Sequence, residues 1–185
     1  MPEGQFQLAL IVGSVREGRF APVIANWFLG QVERRGDVVV DVIDLADLTD
    51  HGMPRDGGGF TERIGAADAY VVIVPEYNHG YPGPLKTAID TVRVEWRAKP
   101  VGFVTYGGVS GGLRAAEQLR QVFAELHAVT VRETVSFHQA RTRFDSEGEP
   151  VEPGAVELAA KVLLDQLAWW AFTLRAGRDA RPYGG

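Results

Sequence analysis

Apolar and polar positions along this chain keep two rhythms. Short apolar runs recur at residues 6–12, 38–43, 69–74, 101–106 and 130–135, and each reads as a strand. Between them, apolar residues return at helical spacing over 21–34, 62–67, 85–94, 113–126 and, longest, 152–174. The run at 69–74 is apolar throughout, as a strand covered on both faces requires. Residues 38–43, rich in valine, read as a second buried strand. Thr61 stands where it can cap the helix over 62–67, with Glu62 in the first turn. The polar stretch 44–59 ends in Gly57-Gly58-Gly59 and reads as a mobile loop with a turn of helix around residues 45–48. Asp145-Ser146-Glu147-Gly148 supplies a turn in the polar stretch 137–153. Residues 177–185 have the composition of an exposed, frayed tail, which leaves 1–176 as a single domain.

Strands alternating with helices in 185 residues predict an α/β fold. The expected architecture is an open five-stranded parallel sheet, in the order 2-1-3-4-5, with helices on both faces. Ligands of such sheets bind beyond the carboxyl ends of the strands, at the switch point of the topology. Three unusual loops follow strands 1, 3 and 4, which are neighbours in that order. They should meet at one edge.

The first loop, Gly13-Ser14-Val15-Arg16-Glu17-Gly18-Arg19-Phe20, joins a buried strand to a helix N-terminus. Free backbone N–H groups and the helix dipole there favour an anion, and a phosphate monoester is the natural guest. Ser14 adds a hydroxyl donor, and Arg16 and Arg19 add planar charged forks. The bland alternative is a strand–helix corner with no ligand. The second loop, Pro75-Glu76-Tyr77-Asn78-His79-Gly80-Tyr81-Pro82-Gly83-Pro84, follows a path fixed by its prolines and glycines. It offers aromatic surface and hydrogen-bonding groups to a planar heterocycle, or else is a rigid turn packed on the sheet or on a partner subunit. The third loop, Gly107-Gly108-Val109-Ser110-Gly111-Gly112, lets backbone approach a flat ligand closely, with Ser110 as a hydrogen-bond donor.

Composition narrows the chemistry. The chain has no cysteine, which removes disulfides, thiol nucleophiles, zinc–thiolate sites and iron–sulfur clusters, and fits a cytoplasmic protein. Its four histidines do not fall at metal-ligand spacings, so no metal site is expected. A net charge of −5 argues against nucleic acid as a partner. No signal peptide or membrane span is read from the apolar pattern. With no acid–base pair in evidence, no catalytic side chain is assigned, and the hard chemistry falls to a cofactor.

Taken together, Gly13-Ser14-Val15-Arg16-Glu17-Gly18, Pro75-Glu76-Tyr77-Asn78 and Leu85-Lys86-Thr87-Ala88-Ile89-Asp90 resemble the NADPH-dependent FMN reductase family. Its members are flavodoxin-like flavoproteins that include quinone, chromate and azo-dye reductases. The resemblance runs from about Leu8 to Leu174. It implies FMN as cofactor, NADPH (or NADH) as hydride donor, a quinone-like, azo or flavin acceptor, and a homodimer or tetramer. By position it implies that Ser14, Arg16, Gly18, Arg19 and Phe20 surround the FMN phosphate. Pro75, Glu76, Tyr77, Asn78 and His79 would border the isoalloxazine ring, with Gly107, Gly108, Ser110, Gly111 and Gly112 on its far side. This chain departs from the common pattern in having Arg19 and Ala21 in the phosphate loop and His79 in place of a tyrosine. Arg19 is then open to three roles: facing the FMN phosphate, the 2′-phosphate of NADPH, or solvent.

Two rival classes remain. One is a flavodoxin-like carrier that binds FMN and relays electrons without oxidising NAD(P)H itself. The other is a serine hydrolase, because Gly108-x-Ser110-x-Gly112 between a strand and a helix fits a nucleophile elbow. That reading lacks room for its partners: His127 and His138 follow acids (Glu117, Glu125, Glu133) that lie within the adjacent helix and strand. Elsewhere, Trp169, Trp170 and Phe172 read as core or subunit-interface packing. Glu95-Trp96-Arg97 reads as a surface cluster, near a second subunit by the resemblance. Arg114 and Arg120 read as exposed ion pairs.

Overall fold

The most apolar run forms the middle of the sheet. In the computed structural model, which describes residues 4–50, 53, 54 and 59–184, β1 (Phe6–Val12) lies between β2 (Val38–Asp44) and β3 (Ala69–Pro75). Beyond β3 come β4 (Pro100–Gly107) and β5 (Val129–His138). All four pairings are parallel, in the expected order 2-1-3-4-5. Every residue of β3 is buried.

The helices are α1 (Ala21–Glu33), α2 (Leu45–Leu48), α3 (Phe60–Ala66), α4 (Gly83–Asp90), α5 (Leu113–Glu125) and α6 (Pro153–Ala180). Alternation along the strands divides the core in two. Phe6, Leu8, Leu10 and Val12 of β1 pack with α1 and α6 on one face. Ala9 and Ile11 pack with α3, α4 and α5 on the other. Each large apolar side chain so buried contributes roughly 1.5–3 kcal/mol.

Several expectations need correction. β2 is an edge strand paired with β1 alone, and Val39 and Val42 are about two-fifths exposed (40% and 41%), so it is not a buried strand. Thr61 caps nothing: α3 starts at Phe60, after Gly59 in the left-handed region (φ +66°), with no side-chain cap. Trp96 is not at the surface. It is fully buried on a 3-10 turn, Val94–Trp96, edge-on to Tyr70 and Phe123, and its Nε1 donates to Ile89 O. Trp170 and Phe172 pack against the core, but Trp169 is exposed.

The final helix passes through the expected tail and ends at Ala180. Its last turns are tied down. Arg175 and Arg178 both pair with Asp68, at 2.9 and 3.2 Å, and Arg178 also donates to Ala98 O at 2.6 Å. Gly57 and Gly58, with residues 51, 52, 55 and 56 of the expected mobile loop, lie outside the described residues. Among the described residues, no helix is long and apolar enough to cross a membrane.

Candidate functional site

The loop after β1 keeps to the sheet for two residues before it turns. Gly13 N donates to Ile73 O (2.9 Å), and the fully buried Ser14 places its Oγ 2.8 Å from the Tyr77 hydroxyl. That contact joins the first loop to the second. Arg19 N closes a turn on Arg16 O (3.3 Å), with Gly18 left-handed (φ +64°). The backbone N–H groups of Arg16, Glu17 and Gly18 then donate to no acceptor among the described residues. Three successive unused donors thus border the cleft, the kind of backbone from which anion-binding nests are made. The helix end adds less than expected. Pro22 has no N–H, and Val23 N is engaged by Phe20 O. The free donors therefore belong to the turn more than to α1.

Arg19 lines the cleft but is held first by the fold. Its guanidinium grips Asp44 at the end of β2, with Nη1–Oδ1 2.5 Å and Nη2–Oδ2 2.7 Å, and also donates to Ser14 O. The hydrogen-bonded Asp44 carboxylate raises the Arg19 pKa further. Arg16, by contrast, has no carboxylate partner among the described residues and lies over the Tyr77 ring, 4.8 Å from its centroid.

In the second loop, Tyr77 and Gly80 exchange both backbone hydrogen bonds (2.9 and 3.1 Å) around Asn78 and His79. Both central residues have positive φ (51° and 72°), the geometry of a type I′ turn. Such backbone is costly for side chains other than glycine and needs support from its surroundings. Arg114 of α5 supplies it by bonding the His79 ring at 2.9 Å, while Gln118 Nε2 donates to His79 O at 2.9 Å. Arg114 also pairs with Glu76 at 2.5 Å, and the Ser110 hydroxyl donates to the same carboxylate. Burial pushes the Glu76 carboxyl up, but Ser110 and Arg114 outweigh it and hold it below the usual carboxylate value. Arg114 is the exposed ion pair that the sequence suggested, and it also clamps the second loop onto α5.

Two glycines of the third loop serve the fold. A Cβ on Gly112 would lie 2.7 Å from Tyr106 N and 2.8 Å from Thr105 Cβ, and one on Gly111 would collide with Ser136 and His138. Thr105 Oγ1 holds the loop down through Gly111 O (2.7 Å). It is Gly107 and Gly108 that border the cleft, and Gly108 has open space where a Cβ would stand. Ser110 is no hydrolytic nucleophile here. Its hydroxyl is committed to Glu76, and the His138 ring is held by Val109 O through Nδ1 (2.8 Å).

These loops enclose a cleft of about 410 Å³. It gathers Arg16, Gly18, Arg19, Phe20, Pro75, Glu76, Tyr77, Gly107 and Gly108 of the sequence-predicted residues. Ser14, Asn78, His79, Ser110, Gly111 and Gly112 are not in its lining; Ser14 and Ser110 support it through Tyr77 and Glu76. Sequence reasoning missed a fourth wall, Gln139, Ala140, Arg141 and Thr142, which follows β5. It also missed Tyr106, at the end of β4. The Tyr106 hydroxyl is buried, near Ser14 and Tyr77, yet finds no partner of hydrogen-bonding geometry among the described residues. Burial drives its pKa up, so it stays protonated and able to donate.

Residues 6–142 match the family model described as NADPH-dependent FMN reductase. The chain belongs to that family. A probable NADPH:quinone oxidoreductase 2 of Oryza sativa is 32% identical over 190 residues, covering 91% of this chain and 89% of the relative. An NAD(P)H-dependent FMN reductase of Schizosaccharomyces pombe is 35% identical over 130 residues, 63% of this chain and 64% of the relative. Among solved structures, the flavoenzyme NAD(P)H:(acceptor) oxidoreductase of Paracoccus denitrificans superposes with a TM-score of 0.68. At 21% identity, covering 91% of this chain and 98% of the other, it shows the flavodoxin-like fold.

The residues fit FMN by their own chemistry. The cleft is within the range of cofactor pockets, roughly 300–1,000 Å³. It presents unused amides and an unmatched Arg16 for a phosphate, aromatic and proline surface for a ring, and the buried, unpartnered Tyr106 hydroxyl.

Proposed function

We propose that this protein is an FMN-dependent oxidoreductase that takes a hydride from NADPH or NADH and reduces a small quinone-like, azo or flavin acceptor. The observation that carries the reading is the meeting, in one cleft, of an amide nest, an unmatched Arg16 and a wall formed by Pro75, Glu76 and Tyr77. FMN, when bound, supplies the redox centre between the nucleotide and the acceptor.

In this reading the N–H groups of Arg16, Glu17 and Gly18 and the Arg16 guanidinium hold the phosphate. Ser14 and Tyr77 lock the two loops that flank it, and Tyr106 donates its hydroxyl to a polar atom of the cofactor. Pro75, Tyr77, Gly107 and Gly108 present the surface on which the flavin ring lies. The Glu76 and Tyr77 amides are already engaged, by Tyr106 O and Gly80 O, so they are not free to stabilise charge on a reduced ring. The Gly108 N–H has no acceptor among the described residues and borders the cleft, which makes it the better candidate. With Glu76 bound to Arg114 and Ser110, the carboxylate of the ring-side wall is neutralised; Glu17, at the other end of the cleft, lies beside Arg16 in the chain.

The protein is proposed to act as a cytoplasmic homodimer or tetramer. Leu158, Val162 and Trp169 leave an apolar stripe exposed along α6 that supports self-association. The carrier reading shares the fold and the cofactor. Steady-state NADPH oxidation in the presence of a soluble quinone separates the two: the reductase consumes NADPH without a second protein, and a carrier does not.

A further inference from the structure

The fourth wall of the cleft is tied to two of the other loops. Gln139, left-handed at φ +49°, donates its N–H to Gly108 O (3.0 Å). Arg141, on the 3-10 turn Ala140–Thr142, donates from Nη2 to Gly18 O (3.2 Å). Its guanidinium lies over the Phe20 ring, 5.5 Å from the centroid, at the exposed rim of the cleft. That contact steadies a fork with five donors, of which one is used among the described residues. The arginines around it are matched: Arg19 with Asp44, Arg114 with Glu76, Arg143 with Glu152. Among the described residues, Arg16 and Arg141 have no carboxylate partner, and both border the Gly18 turn. The same turn carries the carboxylate of Glu17, and the two guanidiniums outnumber it, which leaves a local positive excess for an anion in a chain of net charge −5.

We infer that Arg141 binds a phosphate monoester of a nucleotide, as the second guanidinium beside Arg16. This rests on the flavin-reductase reading. Two nucleotides there carry such a group: FMN at its 5′ end and NADPH at its 2′ position. The second would make Arg141 the residue that distinguishes NADPH from NADH.

The test compares the full chain with Arg141→Ala, Arg141→Lys and, as a control for lost charge, Arg143→Ala. FMN affinity of the flavin-free protein is read by fluorescence quenching on titration, and KM is measured for NADPH and for NADH with saturating FMN. Loss of a charge-assisted contact corresponds to roughly a tenfold change or more. A rise of that size in the FMN Kd of Arg141→Ala, with the KM ratio unmoved, assigns the 5′-phosphate. A rise in KM for NADPH but not NADH, with FMN affinity unmoved, assigns the 2′-phosphate. In either case Arg141→Lys recovers part of the effect and Arg143→Ala shows none. If both readouts stay unchanged, or the two KM values rise together without a change in FMN affinity, Arg141 merely shapes the turn and the inference fails. An unaltered protein that neither binds FMN nor oxidises either nucleotide overturns the flavin reading itself, and this inference with it.

Discussion

Arg19 and Asp44, 25 residues apart in the chain, form a two-pronged ion pair at 2.5 and 2.7 Å. The side chains are 16% and 21% exposed, so water screens the pair only in part. The pair fastens the first loop to the end of β2, and Asp44 also accepts from Ala46 N (3.0 Å) at the start of α2. Arg16, three residues earlier, has no such partner among the described residues. Their alanine variants should fail in different ways. Arg19→Ala lowers the stability of the flavin-free protein, and a double-mutant cycle with Asp44→Ala yields a coupling of roughly 1–3 kcal/mol in urea unfolding. Arg16→Ala leaves the unfolding midpoint nearly in place but weakens FMN retention more than it slows turnover of the loaded enzyme. Unchanged flavin affinity in that variant would remove Arg16 from the phosphate site.

Tyr106→Phe should act with opposite signs on two quantities. Deleting a buried hydroxyl that has no partner relieves its desolvation penalty, so the flavin-free protein gains about 1 kcal/mol or more. Deleting a donor to the cofactor loses a hydrogen bond, so FMN affinity falls by roughly three- to tenfold. Thermal melts with and without FMN check both effects, because the ligand-induced rise in Tm shrinks while the starting Tm increases. A variant with unaltered affinity places the Tyr106 hydroxyl outside the FMN site.

Glu76 makes part of the stability sensitive to acid. Its folded-state pKa lies below the ordinary 4.5, so folding favours the carboxylate. The contribution is complete above about pH 4.5 and is lost as pH falls through the lower folded value. Asp37 and Asp165, whose pKa values are lowered mainly by Arg35 and by Lys161 respectively, titrate in the same region. The informative quantity is therefore the difference between Glu76→Gln and the unaltered chain. Stability of the variant, followed by urea unfolding from pH 6 to pH 3, should fall less steeply. Parallel curves would mean that Glu76 gains nothing from Ser110 and Arg114.

Neighbouring glycines of the third loop should part company. Gly111→Ala puts a Cβ into Ser136 and His138 at a positive φ of 62°, and should cost at least about 2 kcal/mol. Gly108→Ala meets nothing within 4 Å and should leave the melting temperature within a degree or two, while its methyl group at the cleft wall reduces FMN affinity. Equal destabilisation by the two substitutions would refute the division of labour described for this loop.

What the sequence made legible was what is local and periodic. β1, β3 and β4 are nearly unbroken apolar runs, and their order followed from connection rules that hold for any such sheet. The three loops could be read because glycine and proline betray unusual backbone within a few residues. Arg19 could not be paired with Asp44 from composition, since nothing near either residue signals the other. Arg141 lies 123 residues from Gly18, in a polar stretch after an edge strand, where an arginine is unremarkable until the sheet brings the two together. Tyr106 looked like one more strand residue, and its orphaned hydroxyl emerges only from the packing around it. β2 misled because valine is common in strands whether or not a second face is covered. Glycine at 59 in a left-handed cap displaced the more conventional signal at Thr61.

The most direct test of the central claim is an ultraviolet–visible titration. The purified protein, supplied with FMN, is followed under nitrogen while NADPH is added in sub-stoichiometric steps. The account predicts protein-bound flavin bands, shifted from those of free FMN, that bleach in proportion to NADPH and return when a quinone is admitted. A protein that leaves the FMN spectrum unperturbed, or whose bound flavin stays oxidised with excess NADPH and NADH alike, would contradict it.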